Sequence, residues 1–262
     1  MPTGSRAKRP DVAAIRIGTA GWSIHKAAAE LFPAAGSHLE RYAALFDAVE
    51  INSSFYREHR VATWERWGRS VPAGFRFSAK IPREITHLRR LVDCEPLIER
   101  FVEGPAALGA RAGPLLVQMP PSLAFDAAAT TRFLDEFRRH WSGPLVAEPR
   151  HRSWFDGEGD ALLARFGVGR VGADPAVAPA AAEPGGSGDV VYWRLHGSPR
   201  VYYSAYPAEF LARVSERAAA ACRTASEVWC IFDNTALGAA ARDAASLAAD
   251  RCAKPATDAE TG

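Results

Sequence analysis

Eight short apolar segments recur along the chain, and stretches with helical periodicity separate most of them. The segments span residues 15–21, 48–55, 75–82, 113–121, 143–150, 169–174, 190–197 and 227–235. Strands that alternate with helices form a parallel sheet with right-handed crossovers. Eight such units in a chain of 262 residues match the size of a (β/α)8 barrel, also called a TIM barrel. We therefore predict an α/β fold in which eight parallel strands close into one barrel.

One crossover departs from the pattern. Residues 175–189 read PAVAPAAAEPGGSGD, which is too rich in proline and glycine for a good helix. We predict that a loop replaces the sixth helix. We also predict disordered tails at 1–14 and 251–262, which leaves residues 15–250 as a single barrel domain.

Composition limits the classes of partner. Net charge is only +2, so a nucleic-acid partner is not favoured. No stretch approaches the roughly 20 apolar residues of a membrane span, so we expect no membrane partner. The four cysteines lie far apart without metal-type spacing, which favours reduced thiols in a cytoplasmic protein. The oligomeric state does not follow from these features.

Polar residues alternate with apolar residues in the strand-like segments. In 190–197, for example, Tyr192, Arg194 and His196 share one face. The outer face of a barrel packs on helices and must be apolar, so we expect this polar face to point inward. Equivalent inward positions on other segments are Glu50, Asn52, Ser78, Lys80, Gln118, Glu148, Arg150 and Asp174. Most lie near the carboxyl ends of their segments, where barrel enzymes build active sites.

Seven ordered motifs resemble those of one known family. They are GTAGWS (18–23), FDAVEINSSFYR (46–57), FRFSAKIPREITH (75–87), LLVQMPPS (115–122), AEPRHRSW (147–154), YWRLHG (192–197) and FDNTALGAAARDA (232–244). The chain resembles the YecE-like family, domain of unknown function 72, from about Ile15 to Leu247. The resemblance implies a TIM barrel and no settled reaction. The chain departs from the family at Pro149, where an aromatic residue is usual, and at Asp233, where Asn is frequent. It also lacks the Trp-Gly pair expected soon after GTAGWS.

Four residues are candidates for catalysis. His196 ionises near neutral pH and suits a general acid or base. Lys80 is one of only four lysines beside 28 arginines, which suggests that guanidinium cannot replace it. Its ammonium could bind a carboxylate or phosphate, or its amine could form a Schiff base. Glu50 or Glu148 would orient one of these cations.

A second set of residues is expected to bind substrate. Arg150 and Arg194 suit bidentate contact with an anion, and the remainder lie on the same strand ends or the loops that follow. The full set is Asn52, His87, Gln118, Arg150, Trp154, Asp174, Arg194, Tyr203 and Asn234. We predict an anion-binding pocket for a small, phosphorylated or sugar-like metabolite.

Several alternatives remain open at this point. The inward charges could form internal salt bridges that only fill space. A metal ion could bind through Glu50, Glu148, Asp174 and His196 and support phosphodiester hydrolysis of nucleic acid, although Lys80 and the arginines would repel a cation. The protein could also be a non-catalytic barrel that binds a ligand. No P-loop, HExxH or GxSxG motif occurs, and we predict no cofactor.

Overall fold

The computed structural model describes residues 13–253. The tails predicted to be disordered lie outside this range, apart from residues 13–14 and 251–253. Residues 251–253 continue the last helix. None of the helices in the described range is long and apolar enough to cross a membrane.

Among residues 13–253, ten strands form two sheets. They are β1 (Ile15–Thr19), β2 (Ala48–Ile51), β3 (Arg76–Lys80), β4 (Ala112–Gln118), β5 (Leu145–Glu148), β6 (Val168–Arg170), β7 (Gly172–Asp174), β8 (Gly185–Gly186), β9 (Val190–Leu195) and β10 (Glu227–Phe232). The first sheet has the order β1-β10-β9-β7, and the second has the order β2-β3-β4-β5-β6-β8. Every pairing is parallel except that of β6 with β8.

In the described part of the chain, seven α-helices connect most of these strands. They are α1 (His38–Ala43), α2 (Val61–Arg69), α3 (Glu95–Ala106), α4 (Ala127–His140), α5 (Glu158–Arg165), α6 (Ala208–Ala221) and α7 (Ala239–Ala253). Helix α1 begins at a capping box in which Ser37 and Glu40 bond each other's backbone amides. Helix α4 begins where the Asp126 carboxylate accepts a hydrogen bond from the Ala129 amide. A π-helix (Glu84–Leu88) lies between β3 and α3.

The α/β class and the parallel arrangement of the predicted strands are confirmed. The predicted single closed sheet is not observed among residues 13–253, where the strands form two sheets. Two interruptions separate the sheets. The predicted sixth strand divides at Val171 into β6, which pairs with β5, and β7, which pairs with β9. At the other junction, β1 and β2 meet only through a bridge between Ala20 and Glu50.

The predicted absence of a helix in the sixth crossover agrees with the structure. Between β7 and β9 the chain forms a short 3-10 turn (Pro179–Ala182) and the two-residue strand β8, with no α-helix. Arg170 holds this segment because its guanidinium donates to the backbone oxygens of Ala180 and Glu183 and pairs with Asp160. A buried arginine therefore anchors a crossover that has no amphipathic helix to pack.

Apolar residues form two layers, one on each face of the strands. The larger layer lies between the strands and the helices. The smaller one comprises Ala48, Leu116, Val146, Val171, Val190, Tyr192, Trp229 and Ile231. Most of this second layer, with Val171 as an exception, comes from the faces that the sequence predicts to be inward, and it forms the floor beneath the polar side chains described next.

Candidate functional site

Five charged side chains meet at the carboxyl ends of β2, β5, β9 and β10, and we call them the polar cluster. They are Glu50, Glu148, Arg194, His196 and Asp233. Each is less than a tenth exposed to solvent. Parallel strands bring their carboxyl ends to one edge, so four distant parts of the chain contribute to one group.

Arg194 is the centre of the polar cluster. Its guanidinium contacts Glu50 through two parallel bonds, from Nε to Oε2 at 3.0 Å and from Nη2 to Oε1 at 2.7 Å. It also donates to Glu148 at 2.8 Å and to Asp233 at 3.2 Å. Its side chain is wholly buried. The sequence suggested that Arg194 binds a substrate anion, but three carboxylates of the protein already surround it.

His196 lies between two carboxylates. Its Nδ1 is 2.9 Å from Asp233 Oδ2, and its Nε2 is 2.9 Å from Glu148 Oε1. A neutral imidazole has only one N–H to donate, so the second contact requires another proton. Either the imidazole carries both protons, or one of the two carboxyl groups carries the second. His196 is fully buried and has no free nitrogen to offer a ligand.

The electrostatics of the polar cluster favour ionised groups. Burial alone would raise the pKa of Glu148, but the positive charges of Arg194 and Arg150 and the contact with His196 hold that pKa well below its usual value. Burial opposes ionisation of Asp233 too, yet Arg194 and the hydrogen bond to His196 lower its pKa. For Arg194 the penalty of burial is outweighed by the carboxylates, which raise its pKa. The cluster is therefore a satisfied ion network.

Lys80 ends β3 beside this network but is not part of it. It is 6% exposed, and within residues 13–253 no carboxylate lies within 4 Å of its ammonium. Its Nζ lies 3.9 Å from the centre of the Phe55 ring, in a cation–π contact. Burial, reinforced by the charge of Arg194, lowers the pKa of Lys80 to about 8, although the nearby carboxylates act in the opposite direction. Lys80 is thus a buried cation without an ion-pair partner in the described chain.

Two predicted binding residues lie at the edge of the polar cluster. Gln118 donates from Nε2 to Glu148 Oε2 at 3.0 Å. Arg150 pairs with the other oxygen of Glu148 at 3.2 Å, and its side chain remains 17% exposed. Both side chains reinforce Glu148, and Arg150 keeps some contact with solvent.

His87 approaches Lys80 from the π-helix. Its ring lies edge-on to Phe55 with the centroids 5.0 Å apart. Burial lowers the pKa of His87, and the charges of Lys80 and Arg83 lower it further. The Thr86 hydroxyl contacts its Nδ1 at 2.8 Å. His87 is therefore a neighbour of Lys80 rather than of His196.

Two predicted binding residues lie in the core, away from the polar cluster. Trp154 is almost fully buried and donates to the backbone oxygen of Leu123. Asn234 is also buried, and its amide donates to Ser204 and Asp243. These contacts position the loops after β4 and β9.

Asp174 lies on the opposite face of its strand from the predicted one. Gly172 lies on the same face of the strand as Asp174, two residues away. A Cβ atom added at Gly172 would meet Pro184 and Trp193, which lie on the outer side. Val171 occupies the inner layer instead, because Val168 and Arg170 face the helices and the alternation continues unchanged through the break between β6 and β7. Asp174 consequently accepts a hydrogen bond from the Tyr206 hydroxyl at 2.9 Å.

Two more predicted residues have no contact with the polar cluster in the described structure. Tyr203 is exposed and stacks with Arg200 at 3.9 Å. Asn52 is half-buried, and its Oδ1 is buried with no hydrogen-bond partner within residues 13–253.

The predicted catalytic and binding sets leave out three members of the site, of which the sequence places Tyr192 on the inward face without a role. Asp233 contacts both Arg194 and His196, and the only sequence signal was its departure from the family's usual Asn. Tyr192 donates to Glu50 at 2.9 Å from the floor of the site. The ring of Tyr202 stands edge-on to His196 with 6.0 Å between centroids. Its backbone has φ of 70°, a conformation that a tyrosine rarely adopts.

The metal hypothesis lacks a suitable donor set. Within residues 13–253 no group of three or more His, Cys, Asp or Glu side chains is arranged to hold a metal ion. Of the suggested ligands, Asp174 faces away from the others, while Glu50 and Glu148 direct their oxygens at Arg194.

Comparison with known proteins gives a consistent family assignment. The model of the family described as "Protein of unknown function DUF72" matches residues 16–260. The UPF0759 protein YecE of Escherichia coli is 31% identical over 139 residues, which cover 51% of this chain and 50% of that protein. The UPF0759 protein YunF of Bacillus subtilis is 28% identical over 149 residues, covering 54% of this chain and 52% of that protein. The matched part therefore spans about half the length of these curated relatives.

Solved structures resemble the fold over most of its length. A DUF72 family protein from Enterococcus faecalis superposes with a TM-score of 0.76 at 22% identity, over 89% of this chain and 94% of that chain. A DUF72 family protein from Thermotoga maritima gives a TM-score of 0.75 at 24% identity, over 90% of this chain and 98% of that chain. At these identities the likeness establishes the shared fold and no activity.

Proposed function

Because this chain belongs to the DUF72 family, whose description states no reaction, we propose a function from its own side chains. The protein is an enzyme that acts on a small anionic metabolite, phosphorylated or sugar-like, in a polar pocket at the carboxyl ends of the strands. Lys80 binds the anionic group and exchanges a proton with the substrate. The polar cluster holds the surrounding charges in place.

The state of Lys80 is the observation that carries this proposal. The carboxylates of the polar cluster already bond to Arg194, His196 and Tyr192. Lys80, in contrast, has no carboxylate partner in the described chain. An unpaired buried charge is costly and is seldom kept for packing alone. An anionic substrate would supply the missing partner. Arg150, which is partly exposed beside Glu148, is the second cation available to it.

A proton-transfer role follows from the lowered pKa of Lys80. With a pKa of about 8, roughly a tenth of the amine is neutral at pH 7 and half at pH 8. A group that titrates near the working pH can act as either acid or base. Ordinary lysine, with a pKa near 10.4, would be almost entirely protonated.

The buried members of the polar cluster take a different role from the one that the sequence suggests. Glu50, Glu148 and His196 are at most 1% exposed, so none of them reaches a ligand directly. We assign them as positioning residues that fix Arg194 and Asp233 and set the field at Lys80.

We further propose that the two sheets are halves of one closed (β/α)8 barrel. Two junctions support closure. The Val171 amide between β6 and β7 donates to Ala147 in β5 at 2.8 Å, which keeps the divided strand continuous with both neighbours. The Gly21 amide after β1 donates to the backbone carbonyl oxygen of Glu50 in β2, also at 2.8 Å. Closure would place Lys80 and the polar cluster at the mouth of a common interior.

The test is a thermal-shift screen of a panel of phosphorylated and carboxylated metabolites at pH 7. Wild type is compared with Lys80→Met and with Lys26→Met, which removes an exposed lysine elsewhere. Ligands of the pocket should raise the melting temperature of wild type and Lys26→Met but not that of Lys80→Met. Equal stabilisation of all three proteins would refute anion binding at Lys80.

Each stabilising compound is then incubated with the protein and followed by proton NMR for product. Conversion by wild type, with loss in Lys80→Met, supports an enzyme. Binding without conversion of any stabilising compound would instead indicate a non-catalytic ligand-binding protein.

A further inference from the structure

A cleft of about 780 Å³ opens beside Lys80, among the turn after β2, helices α2 and α3, and the π-helix. Sites for small organic molecules commonly enclose 300–1,000 Å³. The sequence pattern did not indicate this cleft, because its walls come from three separate parts of the chain. It lies outside the polar cluster and contains none of its residues.

One wall of the cleft also holds Lys80. Ser54 and Phe55 line the cleft from the turn after β2. The Ser54 hydroxyl donates to the backbone oxygen of Lys80 at 2.6 Å, and the Phe55 ring contacts the Lys80 ammonium. Lys80 does not itself line the cleft, so a ligand in the cleft that touches Phe55 is separated from the unpaired charge by that one ring.

A second wall is the π-helix, which faces both regions. Glu84 and Leu88 line the cleft, while His87 of the same helix packs against Phe55 on the side towards Lys80. Single π-helical turns are rare and occur frequently at functional sites.

The backbone that follows the π-helix is strained. Arg90, Leu91 and Asp93 have φ of 53°, 68° and 52°. Within the described chain, the only other non-glycine residue with positive φ is Tyr202, beside His196. Such conformations persist where the surrounding structure enforces them, and they cluster at binding sites.

The lining of the cleft has the chemistry of an amphiphile site. Tyr56, Val61 and Leu88 are 70%, 39% and 62% exposed. Burying such large apolar side chains against a ligand would lower the free energy of the system. Buried Trp64 and Phe101 form its floor. Four arginines and three glutamates lie among the lining residues, and Lys80 adjoins them, so positive charge is in excess.

We infer that the cleft binds the apolar body of the substrate whose anionic group is held by Lys80, so the substrate is an amphiphilic anion such as an aryl or alkyl phosphate or carboxylate. This inference rests on the proposed function and narrows its substrate class. The anionic group of the substrate would form an ion pair with the Lys80 ammonium, and its apolar body would pack against the exposed side chains of the cleft.

The experiment compares two probes by isothermal titration calorimetry at pH 7. Inorganic phosphate has only the anionic group, and 1-naphthyl phosphate adds an aromatic body. Wild type should bind 1-naphthyl phosphate at least tenfold more tightly than inorganic phosphate. Leu88→Ser and Tyr56→Ser should remove most of this gain without weakening inorganic phosphate. The control is Leu237→Ser, which removes a leucine of similar exposure outside the cleft and should keep the gain.

The two proposals fail in different ways. If both probes bind wild type equally, or if the gain survives in Leu88→Ser and Tyr56→Ser, the cleft assignment is overturned while anion binding at Lys80 stands. If Lys80→Met binds inorganic phosphate as wild type does, or wild type does not bind it, the proposed function is overturned. Both proposals are supported if Leu88→Ser and Tyr56→Ser lose the tighter binding of 1-naphthyl phosphate and Lys80→Met loses the binding of inorganic phosphate.

Discussion

Replacing Lys80 with methionine is expected to stabilise the fold while removing anion binding. Methionine keeps the length and apolar stem of the side chain but cannot carry a charge. In the folded protein the pKa of Lys80 is lowered from 10.5 to about 8. Each pKa unit corresponds to about 1.4 kcal/mol, so holding the charged amine in the fold costs about 3 kcal/mol at neutral pH. Loss of the contact with Phe55 offsets about 1 kcal/mol of this gain.

The net effect should therefore be about 2 kcal/mol in the free energy of unfolding. For a domain of this size that corresponds to a rise of roughly 5 °C in melting temperature. Chemical denaturation at pH 7 measures the difference, and Lys26→Met, at an exposed position, should change stability by less than about 0.5 kcal/mol.

The sign of the pH dependence follows from the lowered pKa. Below pH 8 the lysine is protonated in both the folded and unfolded chains, so the full penalty is present. Between about pH 8 and 10.5 the unfolded chain binds the proton and the folded chain does not. The free energy of unfolding of wild type therefore rises with pH in this range, while that of the variant has no such contribution. The advantage of Lys80→Met should shrink from pH 7 to pH 9.5. A variant that is less stable than wild type at pH 7 would refute this account, because that result indicates a structural ion pair.

Substitutions at three further positions test the polar cluster and its rim. Arg194→Met leaves buried carboxylates unpaired and should lower the free energy of unfolding by about 3–5 kcal/mol in urea titrations at pH 7; an unchanged midpoint would contradict the satisfied network. The folded pKa of Glu148 lies below its usual 4.5, so the unfolded chain binds the extra proton and wild-type stability falls as pH drops below that value. Denaturation between pH 6 and 3 should show a shallower acid loss for Glu148→Gln, and an identical slope would show that Glu148 is not the linked group. Because Tyr202 has φ of 70°, Tyr202→Gly should be about 1 kcal/mol more stable than Tyr202→Ala by the same measurement; equal stabilities would mean that the backbone relaxes.

The sequence was informative about the fold because it has two strong periodicities. Alternation with period two placed Glu50, Lys80, Glu148 and Arg194 on one side of parallel strands, and the structure brings them to one edge. The same rule gives the wrong face for Asp174, because the segment 169–174 has few side chains that mark a face: Gly169 and Gly172 have none, and the charged Arg170 lies on the helix side. The polarity of Asp174 therefore does not show which way it points.

The pairing of the charges was not predictable from the sequence. A near balance of positive and negative residues is compatible with many ion pairs. Only the distances show that Arg194 pairs with three carboxylates while Lys80 pairs with none in the described chain. The scarcity of lysine gave a partial signal for Lys80, and the departure from Asn gave one for Asp233. The cleft was missed because a π-helix has no distinct hydrophobic period and the lining residues are far apart in sequence.

The most direct measurement is the titration of the Lys80 amine itself. The chain has four lysines, so the 13Cε signals of a lysine-labelled sample can be assigned with Lys80→Met and Lys26→Met and followed from pH 6 to 11. Lys80 should titrate near pH 8, and bound phosphate should move its pKa upward because a neighbouring anion favours the ammonium. A Lys80 signal that titrates near pH 10.5, unaffected by phosphate, would contradict an unpaired cation held ready for an anionic substrate.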